Sequence, residues 1–521
     1  MSSVIRLLCI AAVIICFTIT LSCRTSPRGI SPARGTVQLP PATYTYMTEL
    51  VSGTWTNPVK MSLQNALFMA LSNNINFQME CYTPSISKMN EEIQRAVFDP
   101  YLSGGVSRTK KEDTTGHASS TNREIAENTA EVRLKEFLPL GTTIEAGGGY
   151  SSTESGDMAS SETSGFRWDI VLSQALLKGM GTGANLARLR QAKLEVEISN
   201  YELRAVAEAL VAQVETAYWD YLLSKRSLEI YEISLDVAKR EMEEVKERIR
   251  VGRLPETELS AIEAEVANRE EQLITARATL DKRRLNLIRL LNLAGNEKMW
   301  DMDFDLTEQP ENPKDIVSPL NIHLETAMNM RPDLQEARLR LKSSNLEVIM
   351  TRNGLLPKLD LFIKLAGSRY AESFADRPDN KESENKEYSA GVNLQIPLWN
   401  REARARYKLA MFSQERAQLA LRNMEQLVQM DVRSAYVDVK RAEERVKATR
   451  ATRILREKTL ANEQEKFRVG RSTMFLVSQA HRDFVASQIG EIESIIEYRK
   501  ALVTLYRLDG SLLLRRGITI E

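Results

Sequence analysis

A long stretch of the chain carries apolar residues at the alternating three-and-four spacing of a coiled coil and predicts a helix from about 185 to 250. A second helix, from about 401 to 468, is predicted because the later part of the chain repeats the plan of the first. Near the end of the first stretch the apolar positions are Leu228, Tyr231, Leu235, Ala238, Met242, Val245 and Ile249. A seam of this regularity is typical of long helices that pack in pairs.

A glycine turn ends each long helix, and a shorter helix follows it. The turns are Val251-Gly252-Arg253 and Val469-Gly470-Arg471, and glycine suits the end of a helix. After the first turn the seam returns with one charged position, Arg269, among Leu259, Ile262, Val266, Leu273, Ala276 and Leu280. We therefore predict two antiparallel helical hairpins with the glycine turns at their tips.

The chain repeats this plan, which indicates a tandem duplication. Ala217-Tyr218 and the first turn recur at one common offset as Ala435-Tyr436 and the second turn. Landmarks nearer the start of each copy recur at a larger offset, so the first copy is longer in its middle. Short helices predicted at 61–96 and 321–353 make up the length by which each returning helix falls short of its long partner.

Segments with the alternation of β-strands lie between the helices. They are Tyr101–Thr109, Glu131–Phe137, Thr142–Tyr150, Arg167–Ser173, Lys358–Ser368 and Tyr388–Gln395. The connections at 110–130, 151–166 and 369–387 are long and polar, whereas 138–141 reads as a tight turn. Long loops on one side and short turns on the other are typical of outer-membrane barrels. Six strands enclose too little space for a pore, so we expect an oligomer.

Aromatic residues near the strand ends have two interpretations. They could form the girdles that flank the apolar band of a membrane barrel, or they could pack in a core. The residues are Tyr101, Phe137, Tyr150, Phe166, Trp168, Phe362, Tyr388 and Trp399.

The N-terminus reads as a secretory signal, because Arg6 precedes an apolar run and small residues before Cys23. Either Cys23 becomes the lipidated first residue, or ordinary cleavage occurs near Ser22. The full division is a signal peptide at 1–22, an extended segment at 23–59, a first repeat at 60–295, an equatorial linker at 296–320, a second repeat at 321–510 and a tail at 511–521. Within the repeats we expect strands at about 101–173 and 358–395 and long helical hairpins at 185–292 and 401–509.

The composition and the motifs give no indication of a catalytic, metal-binding or nucleic-acid-binding site. The 70 basic and 70 acidic residues balance, so no charge excess points to nucleic acid. His117, His323 and His481 are scattered without His or Cys neighbours at metal-ligand spacing, and the glycine runs at 147–149 and 179–183 lack the lysine of a phosphate loop. We predict no enzyme activity, no catalytic residues, no metal and no cofactor.

The order and spacing of these motifs resemble the TolC-type outer-membrane efflux family over nearly all of 60–510. The strand-to-helix passages Leu172–Gly179 and Leu394–Trp399, the Ala-Tyr pairs and the Val-Gly-Arg turns carry the likeness. The resemblance implies an α+β fold with an internal tandem repeat. It also implies a homotrimer, in which long antiparallel coiled coils form a helical barrel continuous with one shared transmembrane β-barrel.

The resemblance implies a function as well. It is that of the outer-membrane channel in a tripartite efflux or type I secretion system of a Gram-negative-type cell, a passive duct across the periplasm and the outer membrane. The implied partners are outer-membrane lipid, an inner-membrane pump and a periplasmic adaptor. The alternative is a non-conducting periplasmic coiled-coil spacer or scaffold anchored in the outer membrane.

The adaptor is expected to dock on the two tips, where an exposed glycine lets another helix tip approach the backbone closely. The docking residues would be Val251, Gly252, Arg253, Val469, Gly470 and Arg471. The alternative is that the glycines only end their helices.

The chain departs from the family pattern in two places. Six strands replace the usual four, which predicts either an 18-stranded barrel or a 12-stranded barrel with one hairpin outside it. At the candidate gate, Leu476 and Gln479 stand where some family members carry acidic residues. Glu258 follows the first tip and could pair with Arg253 or Arg471, or it could remain solvated at its helix start.

Overall fold

The structure of the protein is a computed structural model that describes residues 58–113, 123–156, 161–292, 300–310, 317–371 and 384–519. The expected signal peptide and Cys23 lie outside these residues. Most of the described chain is helical. The helices are α1 (Leu63–Asn73), α2 (Ile75–Glu80), α3 (Thr83–Arg95), α4 (Thr182–Asn185), α5 (Ala187–Arg250), α6 (Thr257–Leu291), α7 (Leu320–Met330), α8 (Pro332–Gly354), α9 (Arg401–Arg468), α10 (Met474–Leu508) and α11 (Leu512–Arg515).

The long helices α5 and α9 contain 64 and 68 residues, which makes each about 100 Å long. Each turns back at a tip into a helix of 35 residues, α6 or α10. The positions of the predicted heptad seams are largely buried, as at Leu235, Val245 and Ile262. The two hairpins therefore form as the apolar spacing predicts.

The short helices differ from the prediction, because each of the two expected segments is interrupted. Asn74 ends α1 in an extended conformation, and its side-chain oxygen accepts a hydrogen bond from the Phe77 N–H at the start of α2. Arg331 is extended before Pro332, which begins α8. Local capping chemistry thus breaks helices that the apolar period alone would continue.

Eight strands are described: β1 (Val59–Met61), β2 (Tyr101–Asp113), β3 (Arg123–Phe137), β4 (Thr142–Gly156), β5 (Ser161–Ala175), β6 (Phe304–Leu306), β7 (Lys358–Ala371) and β8 (Glu384–Gln395). Six of them form one antiparallel sheet in the order β2-β3-β4-β5-β7-β8. The strands extend well into the segments predicted as loops. Most residues there are polar, so the pairing continues beyond the point where the apolar alternation stops.

The register of the sheet separates an apolar face from a polar face. Leu102, Leu134, Ala146 and Ile170 lie in one row across four strands. The apolar face carries the exposed residues Leu102, Val106, Val132, Leu134, Ile144, Phe166, Ile170, Leu172, Leu361, Ile363, Leu365, Tyr388, Val392 and Leu394. The opposite face is largely polar and holds ion pairs, including Lys135–Glu145 at 2.7 Å and Lys364–Glu387 at 3.3 Å.

The girdle interpretation of the aromatic residues is wrong for three of them. Tyr150, Phe166, Trp168 and Tyr388 share the apolar face, but Tyr101, Phe137 and Phe362 lie on the polar face. Phe137 stacks on Phe98 at 5.9 Å, and the Phe362 ring covers Gly391. Proximity to a strand end does not fix the face, because a shift of one residue reverses it.

The middle of α5 anchors the segment that links the two halves of the chain. The Tyr221 hydroxyl donates to Asp303 Oδ1 at 2.6 Å, and the Tyr218 hydroxyl donates to the Met61 carbonyl at 3.1 Å. Both tyrosines are buried. The strands β1 and β6 pair in parallel beside these tyrosines. They form a small sheet that was not predicted from the sequence.

The helices nearest the large sheet form a layer in the order α3-α5-α8-α9. Because α3 leads into β2 and β8 leads into α9, the helical layer and the sheet share the same two lateral edges. Within the described ranges, no helix combines the length and the apolar composition needed to cross a membrane.

Candidate functional site at the helical tips

Both tips close with the same hydrogen-bond pattern. At the first tip the Gly252 N–H donates to the Ile249 carbonyl at 2.9 Å, and the Arg253 N–H donates to the Arg248 carbonyl at 2.8 Å. The second tip repeats these bonds from Gly470 and Arg471 at 3.1 and 2.8 Å. This is the Schellman motif, in which the glycine adopts a left-handed conformation. The φ angles are +74° and +75°.

The tips also present a bare surface. Val251 and Val469 are more than half exposed, and Arg253 and Arg471 are exposed beside them. A Cβ added at either tip glycine would meet nothing within 4 Å. The glycines are therefore required by the backbone conformation, and they also leave space in which another helix tip could approach.

The structure brings the two tips side by side. Val245, Ile262, Leu460, Met474, Val477 and Ala480, from all four long helices, form one buried cluster behind the turns. The Arg248 guanidinium lies 5.3 Å from the centre of the Phe467 ring, which joins α5 to α9. The six predicted docking residues thus lie at the end of one joint helical bundle.

The candidate gate residue Glu258 contacts the other hairpin. Its carboxylate accepts a hydrogen bond from the Met474 N–H at 3.2 Å, at the start of α10. A carboxylate at a helix N-terminus satisfies an otherwise unpaired N–H and interacts favourably with the helix dipole. This contact across the hairpins differs from all the expected states of Glu258, which were a pair with Arg253, a pair with Arg471 and a solvated carboxylate.

The other candidate gate residues, Leu476 and Gln479, lie one turn apart on α10 and are exposed. Phe475 beside them is 58% exposed and was not among the predicted gate residues. The signal that the sequence offered was a large apolar side chain five positions after Gly470.

A group of polar side chains, all buried except the half-buried Arg482, lies between the helices of the hairpins, farther from the tips than Glu258, and we name it the polar layer: Ser234, Glu265, Arg269, His481 and Arg482. Arg269 is 1% exposed and donates to Glu265 Oε1 at 2.6 Å and to the Ser234 hydroxyl. Arg482 donates to the other oxygen of Glu265. The polar layer therefore connects α5, α6 and α10.

The polar layer keeps its histidine neutral. Burial, together with the nearby Arg269 charge, lowers the pKa of His481 to about 4, while Glu265 opposes the shift. In the part of the chain that the structure describes, no group of three or more His, Cys, Asp or Glu residues is placed to hold a metal ion.

Comparisons with known proteins show which family and which solved structures share this architecture. A family model described as "Outer membrane efflux protein" matches residues 93–293 and 323–511. A search of the curated proteins found no match. Among solved structures, a membrane protein from Pseudomonas aeruginosa is 18% identical with a TM-score of 0.66, covering 87% of this chain and 91% of that one.

Two further solved structures share the fold. The Campylobacter jejuni CmeC outer membrane channel is 16% identical with a TM-score of 0.61, covering 89% of this chain and 91% of that one. The open state of the Neisseria gonorrhoeae MtrE outer membrane channel is 17% identical with a TM-score of 0.60, covering 86% and 89%.

The family match spans most of the chain and confirms the resemblance drawn from the sequence motifs. Proteins of this family are channels of the outer membrane that extend into the periplasm, and they are not enzymes. The chain belongs to the outer membrane efflux protein family.

Proposed function

We propose that the protein is the outer-membrane channel of a tripartite efflux or type I secretion system, a homotrimer that acts as a passive duct. The observation that carries this proposal is the pair of open lateral edges on each protomer. One edge consists of α3 and β2, and the other of α9 and β8. A neighbouring copy on each side would cover these edges with its own helix and strand.

The sheet edges support closure between copies. The strands β2 and β8 each have one neighbour in the described sheet, so each leaves a row of backbone groups to pair. The sheet has an even number of antiparallel strands, so β2 and β8 run in opposite directions. β8 of one copy could therefore pair with β2 of the next in an unbroken antiparallel wall.

The helix edges carry matching apolar stripes. Along α2, α3 and the residues directly before and after α3, the exposed residues are Ile75, Met79, Tyr82, Ile86, Met89, Ile93 and Val97, at coiled-coil spacing and each at least half exposed. On α9 they are Leu409, Phe412, Leu419, Met430 and Val437. An apolar stripe of this length on a periplasmic helix needs a partner. The two stripes lie on opposite edges, so they fit each other in a head-to-tail ring.

The two faces of the sheet fit the walls of a membrane pore. The apolar face would contact outer-membrane lipid, and the polar face with its ion pairs would line a water-filled lumen. The helical layer would continue that lumen across the periplasm. The tips would then meet a periplasmic adaptor and an inner-membrane pump, with Val251, Gly252, Arg253, Val469, Gly470 and Arg471 as the docking surface and Glu258, Leu476 and Gln479 near the entrance.

The test is the current that the purified, reconstituted protein carries across a planar bilayer, together with its oligomeric mass in detergent. We expect a trimer with discrete conductance steps. A trimer that stays silent even after Leu476→Ser and Gln479→Ser widen the entrance would instead support the spacer or scaffold.

A further inference from the structure

The hairpin formed by β3 and β4 occupies the second and third places in the six-stranded sheet. It pairs with β2 on one side and β5 on the other along nearly its whole length. A wall that closes through β2 and β8 must therefore include it. The hairpin could lie outside the wall only if both ladders were broken.

The register makes this hairpin a removable unit. Leu102 opposes Leu134, Leu134 opposes Ala146, and Ala146 opposes Ile170. If β3 and β4 were absent, Leu102 on β2 could face Ile170 on β5 directly. Both residues already lie on the apolar face, so the two faces of the sheet would be preserved.

An ion pair on the polar face ties the hairpin to β5. Arg133, Gly147 and Asp169 lie in one row, and Arg133 Nη1 reaches across β4 to Asp169 Oδ2 at 3.2 Å. The glycine leaves the space for this contact. A Cβ at Gly147 would lie 3.1 Å from Asp169 Oδ1 and 3.4 Å from Arg133 Cζ.

The turn of the hairpin is fixed to the corner where β5 passes into the helices. Asn185 Nδ2 donates to the Pro139 carbonyl at 3.0 Å and to the Gly179 carbonyl at 2.7 Å. The Gly181 N–H donates to the Leu140 carbonyl at 3.1 Å. The hairpin is thus held at its turn and along both sides.

We propose that the β3–β4 hairpin sets the width of the lumen at the outer membrane and admits cargo about as wide as a helical hairpin, roughly 20 Å. This inference rests on the proposed trimeric channel. With strands about 4.8 Å apart and tilted by about 40°, 18 strands give a backbone diameter of about 36 Å and 12 strands give about 24 Å. After side chains are subtracted, the free widths are about 25 and 14 Å. A lumen of that width is wide enough for a polypeptide that keeps helical secondary structure.

The experiment compares the full chain with a variant lacking residues 123–160, which joins β2 to β5 through the existing loop. Neutral polymers of graded size are added only to the compartment that faces the sheet, and the conductance of each channel is recorded. We expect polymers about 20 Å wide to enter the full-length channel and lower its conductance. In the deletion variant the width of the largest polymer that enters should fall by about 11 Å.

The outcomes separate the two proposals. An absence of channels from the full-length trimer contradicts the proposed function itself. Channels that exclude polymers about 20 Å wide from the sheet side, or that keep the same limit after the deletion, overturn the hairpin proposal alone.

Single cysteines keep the proposal testable if the deletion variant does not assemble. Thr129→Cys and Ser151→Cys place thiols opposite each other on the polar face of the hairpin, and Ala130→Cys places one on the apolar face. All are made in a Cys81→Ser chain, and that chain without an added cysteine is treated with the maleimide in parallel because it still contains Cys23. A bulky, charged maleimide should reduce the current of the first two variants and leave the third unchanged. Equal effects, or none at Thr129 and Ser151, would mean that the hairpin does not line the lumen.

Discussion

The tip glycines show how one residue can serve two purposes. Gly470 must adopt a positive φ to close its helix, and the space around its Cα is empty. Substitution can separate these purposes, because asparagine tolerates the left-handed conformation whereas a large side chain also fills the space.

We predict that Gly470→Trp abolishes coupling to the adaptor and pump while trimers remain intact, and that Gly470→Asn retains coupling. The measurement is export in cells that carry the cognate pump, with trimer recovery from membranes as the control. Full export by the tryptophan variant would argue against docking at this tip.

The polar layer makes stability depend on pH through His481. Its pKa in the folded protein, about 4, lies below the ordinary value of 6.5, so the unfolded chain binds more protons between these values. The stability that neutral His481 contributes is complete above pH 6.5 and is lost as the pH falls toward 4. Glu208 acts in the opposite direction, because burial raises its pKa to about 7 and its contribution is lost as the pH rises from 4.5.

We predict that His481→Gln removes up to roughly 3 kcal/mol of the pH dependence of unfolding between pH 6.5 and 4. The measurement is denaturant unfolding of the variant and the parent at several pH values. The difference between their free energies of unfolding removes the contribution of Glu208, which both chains share. If the two profiles run parallel over this range, the account of a buried neutral His481 is wrong.

At the scale of residues, the sequence indicated which side chains are unusual but not which groups they contact. It identified Arg269 as the break in a seam and Glu258 as a carboxylate near a tip. It could not find Ser234 as a contact of Arg269 or the Met474 N–H as a contact of Glu258, because those groups meet only after separate helices pack. Contacts between the two hairpins leave no periodic signal in either one.

At the scale of elements, the long helices were predictable, whereas the breaks in the short helices and the ends of the strands were not. Burial in the last third of α5 follows the heptad spacing, as at Leu235, Ala238 and Val245. The strands continue beyond their apolar alternation because backbone pairing stabilises them, as at the N-terminal end of β5. The pair of β1 and β6 has three residues in each strand, too few for any period to be read.

We predict that Gly147→Val lowers the stability of the sheet by about 1 to 3 kcal/mol, because the added carbons separate Arg133 from Asp169. Gly148→Val is the matched control on the apolar face, where an added Cβ would meet its nearest atom at an ordinary 3.7 Å. The measurement is the temperature at which reconstituted trimers dissociate in detergent. Equal shifts in dissociation temperature for the two variants would show that the contact between Arg133 and Asp169 past Gly147 does not stabilise the sheet.

At the scale of the whole molecule, the sequence predicted the family and the order of its elements. The number of copies and the closure of the wall remain proposals, because both depend on surfaces that a single chain leaves open. The stripes on α3 and α9 are the clearest of these surfaces.

We predict that Leu419→Glu on the α9 stripe prevents trimer assembly, because a charge would be buried against the neighbouring copy. Gln418→Glu places the same charge on the adjacent exposed position and should assemble normally. The readout is oligomeric mass in detergent. A normal trimer from Leu419→Glu would contradict the head-to-tail interface.

The most direct test of a wall shared between copies is disulfide trapping across the two sheet edges. A cysteine replaces Ser103 on β2, and a second is scanned through Glu387, Ser389 and Asn393 on β8, all in a Cys81→Ser chain. The account predicts that at least one pair oxidises to covalent dimers and trimers, with no larger species on a denaturing gel. Dimers alone, an open-ended ladder or exclusively monomers from every pair would contradict it.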